Sequence, residues 1–386
     1  MHSRVLILGG RAPVALDHAR RFAAQGWIVY VADSISCRMS GWSRCVSQTL
    51  RLPSARNALD AYANALNRLI ATHKIDLVVP TCEESFYVSR IVDRLPAEVR
   101  VAVADFATMR TLHSKWEFLG VAAACGAHVP ESQRVQTIAQ ARDWAQDKPV
   151  VLKPEFSRFG VYVRLHPEGI PTDAPAFDVP GQWIVQRFHH GRELCSYSVA
   201  DAGRLLAHVS YRPAYRLNTS SSYYFKPCES PAIRAFVENL VGKMRYTGQI
   251  SFDWIEAHDG RVTVLECNPR AISGVHLFSM ADALPAALSG TAQECIVPTR
   301  ASPRMLGLVM LAAGGYQAIR GRGVASWWRD FRQASDVVMT AGDRLPLVGG
   351  VLDLVAYGWL ALRNRCSMRE AATQDVEWDG QPLGTQ

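Results

Sequence analysis

The sequence lacks the features that mark several large classes of protein. Its nine cysteines include no Cys-x-x-Cys pair, which argues against a zinc site or a disulfide scaffold and favours a reducing compartment. The N-terminus passes at once into an apolar strand, so no secretory signal peptide is expected. The arginines are scattered, with no dense basic run interleaved with aromatic residues. Nucleic acid is therefore not an expected partner.

What is present fits a globular protein of the cytoplasm. Of the 386 residues, 48% are hydrophobic and 20% are charged, and a chain of this length can bury the cores of two or three domains. The net charge of +7 fits attraction to small anionic ligands.

One long apolar stretch needs its own interpretation. The range 345–362 holds a single charge, Asp353, and approaches the roughly 20 residues of a membrane span. Pro346 and the glycines that follow it break the start, so a helix is predicted over 351–363, which is too short to span. We expect a buried terminal helix, with a membrane-associated or partner-docking helix as the alternative.

The first hundred residues alternate apolar strands with helical segments. Strands are predicted over 5–8, 27–32, 76–80 and 99–104, with helices near 14–25 and 58–73. This alternation implies a parallel sheet wound by right-handed crossovers. Ligands gather at the carboxyl ends of such strands, which here carry residues 9–12, Asp33 and 81–84. The Gly-x-Gly-x-x-Gly fingerprint is incomplete, so a tight turn explains Gly9 and Gly10 equally well.

The most informative segment is a strand pair near residue 260. Asp253 lies on an apolar strand, and the turn His258-Asp-Gly joins it to a second strand that ends at Glu266 and Asn268. Side chains two residues apart share one face of a strand, so the hairpin can bring Asp253 beside this pair. Three hard oxygen ligands suit Mg²⁺, and Arg270 can fork onto a phosphate or carboxylate. The alternative is an ordinary hairpin with acidic ends.

A second segment offers groups that suit phosphate. An apolar strand over 149–154 contains Lys153, followed by the turn 155–160 and another strand over 161–165. A hairpin of this kind can present backbone N–H groups and a lysine to phosphates. It is not a Walker loop, because Gly-Lys-Ser/Thr is absent.

The Asp253…Glu266-x-Asn268-Pro-Arg270 pattern resembles the metal-binding strand pair of the ATP-grasp superfamily, in the form found in carbamoyl phosphate synthase. The order of features over roughly 108–279 is similar to that fold. The resemblance implies an α/β and α+β protein, in which a Rossmann-like parallel sheet precedes a two-subdomain ATP-grasp fold. The implied domains are 1–107, 108–298 with a smaller clamp subdomain at about 115–188, and a C-terminal extension over 299–386 without an assigned role.

The same resemblance implies ATP and Mg²⁺ as cofactors, with Mn²⁺ as an alternative metal. The implied nucleotide contacts are Lys115, Lys153, Ser157 and Gly160 for the phosphates, Gln186, Arg187 and Phe188 for adenine, and Glu193 for the ribose. The implied metal ligands are Asp253, Glu266 and Asn268. Arg270 and Lys153 are the implied catalytic residues. The loop departs from the family's glycine-richer versions at Arg158 and Phe159.

Substrate-binding residues are predicted from three places. Arg212 and Arg216 lie in a stretch rich in tyrosine and can bind a carboxylate or an acyl phosphate, or belong to a plain strand pair. Ser273 and Gly274 follow the metal strand and can border the reacting centre. Glu83 can recognise an amine, although acidic residues also favour the start of a helix.

The activity that the resemblance implies is an ATP-dependent ligase. It phosphorylates a carboxylate to an acyl phosphate, which an amine attacks to give an amide or peptide bond. The alternatives are a carboxylase or kinase acting on bicarbonate or another oxyanion, and a nucleotide-binding protein without turnover. The expected partners are a small carboxylate and an amine, a homodimer stays open, and a membrane partner is disfavoured.

Overall fold

The computed structural model describes residues 2–157, 162–217, 221–300 and 302–383. The first five strands form a parallel sheet in the order β3-β2-β1-β4-β5. They are β1 (Arg4–Leu8), β2 (Ile28–Asp33), β3 (Gln48–Arg51), β4 (Leu77–Val79) and β5 (Arg100–Val101). The helices of this part are α1 (Pro13–Ala24), α2 (Arg38–Gly41), α3 (Leu59–His73), α4 (Glu84–Ile91) and α5 (Phe106–His113), with a 3-10 turn at Val92–Arg94.

The predicted N-terminal parallel sheet is therefore confirmed. Strand β3 was missed because three of its four residues are exposed and polar, so it carries neither an apolar run nor an alternating pattern. The domain boundaries stay predictions, and the one drawn after residue 107 falls inside helix α5.

A small antiparallel sheet follows, in the order β6-β9-β7-β8. Its elements are α6 (Glu117–Ala124), β6 (Ser132–Val135), α7 (Ile138–Ala145), β7 (Val150–Pro154), β8 (Arg164–His166) and β9 (Trp183–Arg187). Helix α7 begins where Thr137 and Gln140 form a capping box, which satisfies backbone donors at the helix start. The sheet has its own core, in which Leu152, Trp183 and Val185 are buried.

The largest sheet carries the predicted metal hairpin, in the order β14-β13-β10-β11-β12-β15-β16. Its strands are β10 (Arg192–Asp201), β11 (Arg204–Leu217), β12 (Ser221–Cys228), β13 (Gly248–Glu256), β14 (Val262–Asn268), β15 (Arg304–Met305) and β16 (Ser335–Asp336). The helices that accompany it are α8 (Pro231–Met244), a 3-10 turn at Ser273–Leu277 and α9 (Leu284–Leu288). Ile233 and Val237 of α8 share one buried core with Phe252 and Trp254 of β13.

The C-terminal extension is largely helical. Its segments are α10 (Gly307–Val309), a π-helical turn at Met310–Gly314, α11 (Gly315–Gln317), a second π-helical turn at Ala318–Arg322, α12 (Val324–Gln333), α13 (Leu345–Asn364) and α14 (Met368–Thr373). After α14 the chain returns to the N-terminal sheet, where Asp375 receives hydrogen bonds from Arg11 and Ser34.

The structure contradicts both the predicted bounds and the predicted burial of the terminal helix. Helix α13 begins at Leu345, and Pro346 lies in its first turn, where proline costs no hydrogen bond. Gly349 lies within the helix and packs against the backbone of Arg38, where an added Cβ would be 2.6 Å from the carbonyl oxygen. The helix is mostly exposed, and by length and composition alone it could cross a membrane, a test that core helices of soluble proteins also pass.

Candidate active site

Strands β13 and β14 pair as the predicted antiparallel hairpin, whose tight turn places Gly260 at φ +81°. Asp253 faces Glu266, but the next residue, Trp254, pairs with Val264. Leu265 is thus an extra residue in β14, a bulge of the kind that re-aims side chains beside active sites.

The hairpin brings the three predicted metal ligands into contact. Asp253 and Glu266 lie directly opposite each other on the paired strands, and the amide of Asn268 donates to Asp253 Oδ2 at 3.3 Å. Removal from water, reinforced by the charge of Glu266, raises the pKa of Asp253 to about 7. The thiol of Cys195, a residue that sequence reasoning missed, donates to Asp253 Oδ1 at 3.0 Å.

This donor set fits a hard divalent cation. Two facing carboxylates repel each other when both are charged, and a cation between them would relieve that repulsion. Among the described residues, no cluster of three or more His, Cys, Asp or Glu side chains could hold a metal ion. The hairpin instead offers two carboxylates and an amide, and Mg²⁺ commonly binds through one or two carboxylates plus phosphate oxygens and water.

Two buried lysines lie beside the carboxylates. Lys115 donates to the carbonyl of Ser157 at 2.7 Å, and its Nζ lies 3.9 Å from Glu266 Oε2. Lys153 Nζ reaches the carbonyl of the bulged Leu265 at 3.4 Å.

Burial lowers the pKa of both lysines. It lowers the pKa of Lys153 to about 8, since the charge of Glu266 only partly opposes burial and the charge of Lys115 adds to it. Burial also lowers the pKa of Lys115, against the opposing charges of Glu266 and Glu83. For Glu266, burial would raise the pKa, but the two lysines outweigh it and the pKa is lowered.

Arg270 connects the hairpin to the N-terminal sheet. Its guanidinium donates to Asn268 Oδ1 at 3.3 Å and to the Ala271 carbonyl at 3.1 Å, and its Nε lies 3.7 Å from Glu83 Oε1. Glu83 is fully buried at the start of α4 and also accepts from the backbone N–H of Trp378 at 3.2 Å. The neighbouring Glu84 instead accepts from two backbone N–H groups of its own turn.

The predicted adenine hinge lies at the end of β9. Gln186 is buried and donates to Ser132 Oγ at 3.0 Å. The guanidinium of Arg187 lies over the ring of Trp144, 4.1 Å from its centroid, so this side chain points toward α7. The N–H of Phe188 donates to the carbonyl of Pro149 at 3.0 Å.

The structure pairs two of the predicted ligands with each other. Glu193 of β10, the predicted ribose contact, forms an ion pair with Arg216 of β11. Burial lowers the pKa of Arg216, and the nearby charge of Asp253 opposes that shift. Arg212 lies apart from this pair, with its guanidinium 3.8 Å from Glu256 at the far end of β13.

The remaining predicted positions differ in what they can contribute. Ser273 is half-buried, and Gly274 is a packing position, because a Cβ there would lie 2.4 Å from Cβ of Tyr197. The backbone carbonyl of Ser157 is held by Lys115. Gly160 lies outside the described residues.

The strand-end crevice of the N-terminal sheet is filled by the chain itself. Arg11 binds Asp33 and reaches Asp375 at 2.6 Å, while Ser34 also donates to Asp375. The hydroxyl of Tyr87 donates to the carbonyl of Glu377 at 2.9 Å. The C-terminal segment was not predicted to lie there, because local sequence patterns do not indicate contacts with residues so far away in the sequence.

No protein-family model matches the sequence, and no curated protein matches it by sequence similarity. Solved structures do match. N5-carboxyaminoimidazole synthetase from Staphylococcus aureus, complexed with ADP, is 14% identical with a TM-score of 0.63, over 82% of this chain and 86% of that one. L-amino acid ligase from Bacillus licheniformis is 14% identical with a TM-score of 0.56, over 79% and 80%.

A third match is the biotin carboxylase domain of 2-oxoglutarate carboxylase from Hydrogenobacter thermophilus, in complex with MgADP, ADP and bicarbonate. It is 14% identical with a TM-score of 0.59, over 76% of this chain and 70% of that one. These neighbours are ATP-grasp ligases and carboxylases. The chain therefore has the ATP-grasp fold, which confirms the resemblance and the fold class that the sequence predicted.

Proposed function

We propose that the protein is an ATP- and Mg²⁺-dependent ligase that joins a carboxylate to an amine. The observation that carries the proposal is the composition of one site. Asp253 and Glu266 face each other at the hairpin end, two buried lysines flank Glu266, and Arg270 lies beside Asn268. A site with this balance of charges can hold a polyphosphate, a divalent cation and an anionic acceptor together.

In this proposal the nucleotide and metal ligands keep the roles implied by the resemblance. Lys115, Lys153 and the loop that contains Ser157 hold the phosphates, the end of β9 holds adenine, and Glu193 holds the ribose. Asp253, Glu266 and Asn268 hold Mg²⁺, which when bound offsets the negative charge of the phosphates. The ion pair between Glu193 and Arg216 supports a further step, in which ribose binding releases Arg216 toward the acceptor.

The reaction then follows from positioning and charge. A carboxylate oxygen of the substrate attacks the γ-phosphorus of ATP, the bond to the β,γ-bridging oxygen breaks, and ADP leaves. The amine nitrogen attacks the acyl phosphate, phosphate departs with the carboxylate oxygen, and the nitrogen loses its proton to give the amide. Lys153 and Arg270 stabilise the charge that develops on the transferred group.

Glu83 is proposed to orient Arg270 rather than to bind the amine. It is fully buried, lies 3.7 Å from the Arg270 guanidinium and accepts a backbone N–H from Trp378. A carboxylate held in this way can fix the direction of an arginine fork.

A second candidate function is carboxylation with bicarbonate as the phosphoryl acceptor. The structural neighbour in complex with MgADP and bicarbonate favours it, and Arg270 would suit this smaller oxyanion equally well. Under this alternative the product gains a carboxyl group rather than an amide bond.

Oxygen tracing separates these candidates. The enzyme is incubated with ATP, Mg²⁺, a panel of ¹⁸O-labelled carboxylic acids and a panel of amines, and both the phosphate and the product are analysed by mass. The ligase proposal expects one ¹⁸O atom in the released phosphate and an amide product that requires the amine. Label from ¹⁸O-bicarbonate in the phosphate, with a product heavier by a carboxyl group, would support carboxylation.

The control is Lys153→Met, which keeps a long side chain but removes the charge beside Leu265. It is expected to lose phosphate release while still folding. Tight ATP binding by the unchanged protein, without phosphate release for any acid or amine or for bicarbonate, would contradict both enzyme functions and favour a nucleotide-binding protein.

A further inference from the structure

Helix α13 presents a continuous apolar face to solvent. Its exposed apolar residues are Leu345, Val348, Val351, Leu352, Leu354, Val355, Trp359 and Leu362. Soluble proteins rarely leave so many neighbouring apolar side chains in water unless the surface binds something. Trp359 and Val355 are 68% and 65% exposed, so the described part of the chain does not cover this face.

The opposite face of α13 is anchored on the N-terminal part of the protein. Asp353 accepts from Ser36, Arg38 and the backbone N–H of Met39. The hydroxyl of Tyr357 donates to the carbonyl of Ser36 at 2.5 Å. With these contacts in place the helix lies along the surface of the protein, so it cannot insert across a bilayer without breaking them.

Charge identifies the kind of partner. Between residues 344 and 369 the only acidic residue is Asp353, which is buried, whereas Arg344, Arg363, Arg365 and Arg369 are all exposed. Positive charge therefore lies at both ends of the apolar face, with Arg344 at one end and Arg363 and Arg365 at the other. The acidic residues just beyond them are engaged elsewhere, Asp343 by Arg20 and Glu370 by the N–H of Ser367. A large exposed tryptophan between apolar residues and flanking arginines is the composition of a segment that rests in the interface of an anionic membrane.

We propose that the outward face of α13 docks the protein on the surface of an anionic lipid bilayer. The helix lies in the plane of the membrane, its apolar side chains enter the headgroup and acyl boundary, and the arginines at its ends contact lipid phosphates. A two-fold contact between two copies of α13 fits less well, because antiparallel packing brings Arg344 of one copy to the arginines at the far end of the other.

The same extension carries further exposed apolar side chains, at Leu308, Leu311, Tyr316, Ile319, Val324 and Trp328. Arg320 and Arg329 of these segments are also exposed. The proposal for α13 stands without them, and their own contribution to docking can be measured separately.

The test is co-sedimentation of the full chain with vesicles. One set is phosphatidylcholine alone and the other contains phosphatidylglycerol as well. The unchanged protein is expected to bind the anionic vesicles, with weaker binding in high salt because screening removes the arginine contribution. Val355→Glu is expected to lower the bound-to-free ratio by about tenfold or more.

The matched control is Val297→Glu, which adds the same charge at an exposed valine outside α13. It should leave vesicle binding unchanged. Arg363→Gln with Arg365→Gln should weaken binding to anionic vesicles but not to neutral ones. Leu362→Glu repeats the test if Val355→Glu folds poorly, and circular dichroism together with thermal unfolding reports folding.

Two outcomes would overturn the proposal. The first is an unchanged protein that stays in the supernatant with both vesicle types at low salt. The second is a stable dimer by light scattering that Val355→Glu converts to a monomer, which would assign the face to a second copy of the chain.

Discussion

Two aspartates set into apolar segments illustrate how differently this protein uses a shielded carboxylate. Asp253 stands between Phe252 and Trp254 on β13, and Asp353 stands between Leu352 and Leu354 on α13. Asp353 is surrounded by donors from Ser36, Arg38 and Met39. Asp253 instead faces another carboxylate, and its pKa is raised to about 7 by removal from water and by Glu266.

The difference separates an anchoring role from a functional one. A carboxylate whose lone pairs are met by donors stabilises the fold. A carboxylate held against a second carboxylate costs stability, and the chain tolerates that cost where a ligand will relieve it. Substitution of Asp253 should therefore lower turnover without lowering stability, whereas substitution of Asp353 should lower stability without lowering turnover.

The largest effect is expected from Asp253→Asn. It removes one of the two facing charges, so ATP-dependent phosphate release should fall by about a hundredfold or more, as when a preorganised charge is lost from an active site. The melting temperature should stay the same or rise, because the repulsion with Glu266 is gone. Both quantities are measured on the same preparation, by phosphate release and by thermal unfolding.

Asp353→Asn is the matched control for that experiment. It should leave phosphate release per folded molecule unchanged. Full activity in a folded Asp253→Asn protein would break the comparison, since the metal role proposed for the hairpin would then be wrong.

The hairpin could be predicted because its signals are local. The turn at 258–260 and the two-residue spacing of Glu266 and Asn268 require no knowledge of distant parts of the chain. The bulge at Leu265 could not be predicted, because a register shift depends on how two strands pair. The same holds for Cys195, which reaches Asp253 from β10 across the sheet.

The C-terminal extension shows the opposite case. Helix α13 was predicted to start later, because Pro346 and the glycines after it are helix-breaking residues by local propensity. The structure places Gly349 against the backbone of Arg38, so the glycine serves a contact between elements more than three hundred residues apart. The contact of Asp375 with Arg11 has the same character. Such pairings follow from the assembled fold rather than from spacing in the sequence.

A smaller effect is expected for the pH dependence of stability, through a buried histidine whose hydrogen-bond partners are neutral hydroxyl groups. His208 is buried in β11, and its ring nitrogens lie 2.9 Å from Ser198 Oγ and 3.2 Å from Ser210 Oγ. Burial, with a small contribution from Arg234, lowers the pKa of His208 to about 4. The unfolded chain, with a pKa near 6.5, therefore binds the proton more tightly than the folded one.

The contribution of His208 to the free energy of unfolding should accordingly be fully present above about pH 6.5. It should be lost as the pH drops toward 4, which lowers the free energy of unfolding by up to about 3 kcal/mol. His208→Gln should flatten the dependence of the unfolding free energy on pH over that window, measured by urea titration at several pH values. His18, which is also buried and whose pKa is lowered to about 4 mainly by burial, keeps its own contribution in the variant. An unchanged slope would show that His208 is already charged or reached by water in the native state.

The smallest expected effect is a difference in unfolding free energy between substitutions on the anchored face and on the outward face of α13. Asp353→Ala leaves the backbone N–H of Met39 and the hydroxyl of Ser36 without their acceptor, which should cost about 2 kcal/mol of unfolding free energy. Val355→Ser, on the outward face two residues away, should change stability by no more than about 0.5 kcal/mol, because its side chain is already in water. Urea unfolding of both variants measures the contrast directly. Equal losses would mean that the outward face is packed against something in the free protein, and α13 would then no longer differ from an ordinary core helix.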